Sequence, residues 1–208
     1  MVMVKDPDRL LSLAYAGAKL RPKLELVFAL DEALADILRT VREPMIAQIR
    51  LAWWRDQLEA LAAGREAAPE PLLLHIGAIL GPSGAASLVD LPSAWEHLLE
   101  DPLEIEAVRR FADLRSAALA PVFNSPALTI GLRYWALVDF AFHCSDPQLA
   151  AQVAEVAKRQ EPDVLKPLPR SARVLIGLAR DDVVHPEARR PGSPRRLLRA
   201  FRHAVMTS

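Results

Sequence analysis

The chain has 208 residues, of which 51% are apolar, enough to bury the core of one domain. Its 26 lysines and arginines equal its 26 aspartates and glutamates, so the total charge gives no indication of a nucleic-acid partner. Cys144 is the only cysteine, which excludes an intramolecular disulfide and a thiolate zinc site and fits a reducing compartment.

The hydropathy pattern predicts a soluble, cytoplasmic protein. The opening residues MVMVKDPDRL lack the continuous apolar core of a secretory signal. We also identify no window with the roughly 18 uncharged residues that a membrane-spanning helix needs.

Apolar residues recur at helical spacing along the chain and alternating patterns are scarce, which predicts an all-α fold in a single domain over residues 1–208. Asp6 and Pro7 are typical of an N-cap and a first helical residue. Later helices are expected at about 23–41, 44–64, 71–80, 92–100 and 102–120. "SPALTIGLRYWALVDFAFHC" predicts the most buried helix, "DPQLAAQVAEVAKRQ" and "LPRSARVLIGLAR" predict two more, and a basic helix at about 193–206 follows.

One arginine stands inside an apolar face of the segment EPMIAQIRLAWWRDQL, residues 43–58. On a helical wheel Arg50 shares that face with Ile46, Ile49 and Trp53. Because an unpaired buried guanidinium is costly, we expect Arg50 to meet an anion. The anion is either a carboxylate of the same chain or a phosphate or acidic head group of a ligand.

Two segments, "DRLLSLAYAGAKLRPKLELVFALDEALADILRTV" and "REPMIAQIRLAWWRDQLEAL", resemble the N-terminal third of the squalene/phytoene synthase family. The likeness is greatest to a bacterial branch with the phrase "EPM…IRL.WWRD". "LPRSARVLIGLA" and "GSPRRLLRAFRH" also resemble the C-terminal end of that branch, whereas about 65–165 matches only loosely. The family includes a mitochondrial complex I assembly factor that is thought to have lost synthase activity.

The resemblance implies a helical bundle of the isoprenoid (trans-prenyl) synthase type around a central cavity, truncated here in its second half. Active members join two prenyl diphosphates head to head. Their Mg²⁺ ions are held by two Asp-x-x-x-Asp motifs on facing helices. Carboxylates four residues apart share a helix face, and the metal they hold stabilises the leaving diphosphate.

The local candidate for the first metal motif is the pair Glu32 and Asp36 in "DEALAD". On the helical wheel both lie opposite the apolar face, so we expect a solvated pair, with Arg39 as the partner of Asp36. The alternative is that they hold metal in an active enzyme.

The family register, set at residues 26–29, places the two motif aspartates on Leu34 and Leu38. These leucines are expected to face inward, where they cannot bind metal. The same register places Asp31 where active members have a phosphate-binding arginine. Asp31 lies at the edge of the predicted buried face, so it is the expected carboxylate partner of Arg50 if no ligand fills that role.

The second Asp-x-x-x-Asp motif of active family members has no good counterpart in this sequence. Asp181 and Asp182 in "ARDDVVHPEARR" are predicted to be helix-terminal or loop acids, although Asp181 is a metal-ligand candidate under the enzyme alternative. Asp139 and His143, four residues apart, are expected to face each other, either as a core pair or in a cavity.

Trp53 and Trp54 are interpreted as packing residues, with a prenyl-binding wall as the alternative.

The C-terminal region carries excess positive charge, with nine arginines against three acidic residues in 170–208. In "SPRRLLRAFRHAVM", Ser193 is a predicted cap. One stripe is apolar, and the other contains Arg195, Arg196, Arg199 and Arg202. We expect the apolar stripe to dock on the bundle; the alternative is binding to an acidic partner or an anionic membrane surface, which would place the protein at the inner membrane face.

These observations predict a non-catalytic binding or assembly-type protein that needs no cofactor. Its partner would be a prenyl or lipid ligand or another protein, and not nucleic acid. The alternatives are an active Mg²⁺-dependent head-to-head prenyl transferase and a peripheral membrane adaptor.

Overall fold

Helices form all of the regular secondary structure in the described part of the chain. The structure, a computed structural model, describes residues 4–125, 128–162, 165 and 168–205. Three short 3₁₀ segments accompany the α-helices of these residues, and the predicted all-α class is confirmed. The helices are α1 (Pro7–Ala14), α2 (Arg21–Thr40), α3 (Pro44–Ala62), α4 (Pro71–Leu88), α5 (Leu91–Glu96), α6 (Ile105–Leu119), α7 (Leu128–His143), α8 (Pro147–Lys158), α9 (Arg170–Val184) and α10 (Pro194–Val205).

Local caps define where several helices begin, as the sequence predicts. The Asp6 carboxylate accepts hydrogen bonds from the backbone N–H groups of Asp8 and Arg9 at the start of α1. The Ser193 hydroxyl accepts the backbone N–H of Arg196 at the start of α10. These side chains satisfy N–H groups that the first turn of a helix leaves unpaired.

Helix α4 has the length and apolar composition of a membrane span, so the expectation that no such window exists is wrong. Pro71–Leu88 has 18 residues with a mean hydropathy of 1.3, and 28% of them are buried. The helix is kinked at Gly81, whose φ of 65° and ψ of −174° are not helical. Pro82 follows the kink, and the segment before it corresponds to the predicted helix at 71–80.

One hydrophobic core joins most of the helices. Helix α7 packs on α6, α8 and α9, and α2 packs on α3, α4 and α5. The prediction that α7 is the most buried helix is wrong, since α7 buries eight of its 16 residues and α9 buries nine of 15.

Helix α3 presents to solvent the face that was predicted to be buried. Ile49 is 63% exposed and Trp53 is 38% exposed, and Arg50 between them is exposed as well. The opposite stripe faces the core, with Ala47, Leu51 and Leu58 buried and Trp54 half-buried. Helix α3 carries apolar residues on several of its sides, so the spacing of apolar residues in its sequence does not decide which face packs on the core.

Helix α10 also docks through an unexpected face. It packs on α9, but Arg196, Ala200 and Ala204 are the buried residues. Of the apolar stripe that was expected to dock, Ala204 is buried, whereas Leu197, Leu198, Phe201 and Val205 are each at least half exposed.

Candidate functional site

A buried group of charges lies where α1, α2, α6 and α7 meet. Arg115 of α6 and Asp31 of α2 have no exposed side-chain surface, and Nη2 of Arg115 lies 2.6 Å from Oδ2 of Asp31. Nη1 of the same guanidinium lies 2.9 Å from Oδ2 of Asp139, on α7. One arginine therefore bridges carboxylates on two different helices.

A second arginine, Arg9 of α1, neutralises the same carboxylates. Its Nη2 lies 2.8 Å from Asp31 and 3.9 Å from Asp139, and its Nη1 donates to the backbone oxygen of Phe28 at 3.1 Å. The indole N–H of Trp95 also donates to Asp31, at 2.9 Å. The Asp31 carboxylate is thus bonded from three other helices, which offsets the cost of burying it.

Aromatic rings surround the two guanidinium groups. The Cζ atom of Arg115 lies 4.1 Å from the ring centre of Trp135, and Cζ of Arg9 lies 5.6 Å from the same ring. Trp95 and Phe111 lie within 5.3 Å of Arg115 Cζ. These cation–π contacts help to stabilise cations that have lost their water.

The close contact shifts the pKa values of Arg115 and Asp139 in favour of their charged forms. Burial opposes the charge of Arg115, but Asp31 and Asp139 outweigh it and raise the pKa of that guanidinium. Burial also favours the neutral form of Asp139, yet the nearby Arg115 charge and a hydrogen bond from His143 hold the pKa of this carboxyl well below its usual range.

Asp139 and His143 face each other, as their spacing predicts. Nδ1 of His143 lies 3.3 Å from Oδ1 of Asp139 and 2.7 Å from the backbone oxygen of the same residue. The hydrogen bond to the Asp139 side chain raises the pKa of His143, against the effect of partial burial.

A cavity of about 430 Å³ opens beside this group of charges. The volume lies in the range of about 300–1,000 Å³ that is usual for small-molecule sites. One part of the wall is apolar and comprises Ala35, Leu38, Trp95, Leu98, Phe111 and Phe140. The other part is polar and comprises Lys5, Asp6, Arg9, Glu32, Asp36, Arg39, Asp139 and His143.

Glu32 and Asp36 both line this cavity, so the expectation of a pair in solvent is wrong for Glu32. Glu32 is buried and accepts the backbone N–H groups of Lys5 and Asp6 at 2.8 and 3.1 Å. Asp36 remains partly exposed and pairs with Arg39, as predicted, and with Lys5. Lys5 and Asp6 of the N-terminal segment cover this face of α2. A helical wheel of α2 alone does not reveal this contact.

The two leucines at the positions expected for a first metal motif offer no metal ligand. Leu34 is completely buried in the core, and Leu38 lines the cavity. The acids that do reach the cavity are already bonded to arginines, Lys5 or backbone N–H groups. Among the described residues no group of three or more His, Cys, Asp and Glu side chains is placed to hold a metal ion.

The predicted pairing of Asp31 with Arg50 is wrong. Arg50 is exposed on α3, whereas Asp31 is bonded to Arg115 and Arg9. Sequence reasoning missed both of these arginines. The sequence does contain a signal for Arg115, because this residue falls within an apolar stripe of α6 at helical spacing. The buried positions of that stripe are Val108, Phe111, Ala112, Arg115 and Leu119.

The remaining candidates lie outside the cavity lining. Asp181 and Asp182 occupy the last turn of α9, where they bond to His203 and Arg196 of α10. Trp53 and Trp54 contact each other edge to face at 5.2 Å, and neither lines the cavity. Its aromatic wall is formed by Trp95, Phe111 and Phe140 instead.

No protein-family model, curated protein or solved structure matches the chain.

Proposed function

We propose that the chain is a non-catalytic relative of the squalene/phytoene synthases, with a bundle of the isoprenoid synthase type that binds a prenyl or similar lipid ligand. The observation that carries the proposal is the Arg115 bridge between Asp31 and Asp139. In a working synthase, carboxylates on facing helices must be free to hold Mg²⁺. Here Asp31 and Asp139 lie on two different helices but are already bonded to the guanidinium groups of Arg115 and Arg9, and removing these groups would leave buried negative charge uncompensated.

The cavity suits an elongated apolar ligand with an anionic head. The rings of Trp95, Phe111 and Phe140 offer apolar surface, while Lys5 and Arg39 lie on the polar side. Lys5 and Arg39 are 76% and 63% exposed, and among the described residues Asp36 is the carboxylate with which both of them pair. Because exposed ion pairs contribute little, these two cations can exchange that carboxylate for the oxygens of a phosphate at small cost.

The test of catalysis is direct. The purified protein is incubated with farnesyl or geranylgeranyl diphosphate and Mg²⁺, and products are analysed by mass spectrometry. We expect no squalene-type or phytoene-type product above a blank without protein. Formation of such a product by the wild-type chain would refute the proposal.

The test of binding uses thermal unfolding in the presence of farnesyl diphosphate and a chelator. A ligand that binds only the native state raises Tm, and the stabilisation grows as the logarithm of ligand concentration once that concentration exceeds Kd. We expect the double variant Lys5→Gln/Arg39→Gln to lose much of this shift. Lys19→Gln/Arg21→Gln removes the same charges from exposed positions outside the cavity lining and is the matched control. A wild-type Tm that farnesyl diphosphate does not change would contradict the proposed ligand class.

A second candidate is an active head-to-head prenyl transferase. It is favoured by one observation, that Glu32, Asp36 and Asp139 line the same cavity from α2 and α7. This candidate predicts product formation that depends on Mg²⁺ and is lost in Asp36→Ala. The non-catalytic proposal predicts no product from either protein, so one assay separates the two.

A further inference from the structure

Helix α10 carries an apolar face that points away from the protein. Leu198 is 70% exposed, and Leu197 and Val205 are each 53% exposed. Phe201, between them on the helical wheel, is 50% exposed. Together these four side chains cover an arc of about 100°, whereas the buried side of the helix presents Ala200, Ala204 and the arginine Arg196.

A buried ion network holds the helix in this orientation. Nε and Nη2 of Arg196 donate to the two oxygens of Asp8 on α1, at 2.9 and 2.6 Å. Nη2 also donates to Asp182 on α9 at 2.8 Å, and Arg196 is only 2% exposed. Rotating the helix to bury its apolar face would pull this arginine away from two carboxylates that are themselves largely buried.

Three further contacts fix the other end of α10. Nε2 of His203 lies 3.0 Å from Asp181, and its ring rests so closely on Gly177 that a Cβ atom at this position would clash with it. Arg173 donates to the backbone oxygen of Ala204 at 2.8 Å. The outward direction of the apolar face is thus specified at both ends of the helix.

Arginines border the exposed apolar face. On the wheel Arg202, Arg195 and Arg199 follow Leu198 in order, on the side away from the protein body. A groove of about 610 Å³ begins at the same helix and is lined by Arg190, Arg195, Arg196 and Arg199, with Glu187 as its acidic residue. Arg202 and Arg195 therefore flank the exposed apolar side chains on one side, and the cationic groove continues further round the helix at Arg199.

We propose that α10 is the docking surface for an anionic phospholipid bilayer. Leu197, Leu198, Phe201 and Val205 enter the boundary between head groups and acyl chains, and the bordering arginines bind the lipid phosphates. An apolar face beside a dense arginine face is the pattern of helices that lie in a membrane interface. The arginines add an electrostatic attraction to anionic lipid head groups. A neutral apolar surface of a partner protein would not provide this attraction. This inference does not depend on the prenyl or lipid ligand proposed for the cavity beside Asp139.

The experiment is sedimentation of the full chain with vesicles of phosphatidylcholine, with or without phosphatidylglycerol. We expect binding to the vesicles that contain phosphatidylglycerol and a loss of binding as salt is added. Arg195→Gln/Arg202→Gln should weaken binding by roughly fivefold for each arginine, or about 25-fold together. Leu198→Ser/Phe201→Ser should weaken it at every salt concentration.

Helix α3 supplies matched controls, since it also exposes arginine and apolar side chains. Arg42→Gln/Arg50→Gln and Met45→Ser/Ile49→Ser make equivalent changes at exposed positions on α3 or, for Arg42, two residues before it. Both controls should bind vesicles like the wild type. Absence of vesicle binding at low salt, which would leave a protein partner for this face, would overturn the proposal. An equal loss in the α3 controls would overturn it too.

Discussion

Arg115 and Asp31 form a completely buried ion pair between α6 and α2, with three donor–acceptor distances of 2.6–3.2 Å. Their separation of 84 positions in the chain means that the pair forms only when the bundle closes. Neither side chain lines the cavity, but Arg115 bonds to Asp139 and Asp31 bonds to Arg9, and both of these partners do line it. The pair therefore links the stability of the bundle to the cavity wall.

Replacing Arg115 by Met should destabilise the protein strongly. The change leaves Asp31 and Asp139 with Arg9 as their remaining arginine, and breaking a buried pair in this way costs about 3–5 kcal/mol. The free energy of unfolding in urea measures the effect. The double variant Arg115→Met/Asp31→Asn should recover part of the loss, because it removes one of the uncompensated charges. The matched change Arg50→Met on exposed α3 should stay within about 0.5 kcal/mol of wild type; a loss there equal to that of Arg115→Met would contradict this assignment.

Glu32 and Asp36 should differ in their contribution to stability, although both line the cavity. Glu32→Ala leaves the backbone N–H groups of Lys5 and Asp6 without their acceptor, at an expected cost of about 1–3 kcal/mol. Asp36→Ala removes exposed ion pairs and should cost less than about 1 kcal/mol. Urea unfolding compares the two variants, and hydrogen exchange at the amides of residues 5 and 6 should accelerate only in Glu32→Ala. Equal exchange in both variants would argue against the anchoring contact.

Protonation of His143 should stabilise the fold in mildly acidic solution. The Asp139 carboxylate raises the pKa of His143 above its unfolded value, so this stabilisation is complete below the unfolded value and is lost as pH rises through the folded value. The imidazole is 59% exposed, so solvent screening limits the gain to less than about 1 kcal/mol. Unfolding free energies of wild type and His143→Gln as a function of pH measure it. Identical pH dependence in the two proteins would disprove the coupling.

Aspartate should destabilise the protein much more at Leu34 than at Leu38, the two positions expected for the first metal motif. Leu34 has no exposed surface, so Leu34→Asp buries a carboxylate without a partner and should cost at least about 3 kcal/mol. Leu38 lines the cavity together with Arg39, so Leu38→Asp should cost about 1 kcal/mol. Leu34→Met and Leu38→Met conserve volume and are the controls. Circular dichroism and urea unfolding report both effects; a stable Leu34→Asp protein would mean that position 34 reaches the cavity.

Local features of the site could be predicted from the sequence because they depend on neighbouring residues. Asp139 and His143 meet because four residues make about one helical turn. Asp6 and Ser193 cap helices for a similar reason, since their acceptors lie two or three residues from the N–H groups they bond.

Whether the Arg50 side chain points to the core or to solvent could not be predicted from the sequence in the same way. Helix α3 has apolar residues on more than one side, so a helical wheel identifies candidate faces without deciding which one meets a neighbour. The contacts with α4 and α5 decide it. Arg50 consequently faces solvent, and Arg115 takes the partner that had been expected for it.

The sequence by itself determined an α-helical chain, its main helix boundaries and the apolar residues available for a core. Only the tertiary structure decided that two arginines bridge acids across four helices and that α10 turns its apolar face outward. The physical reason is that helical hydrogen bonds and caps form within a few residues, whereas ion pairs join positions far apart in the chain. The burial of such charges depends on every helix packed around them.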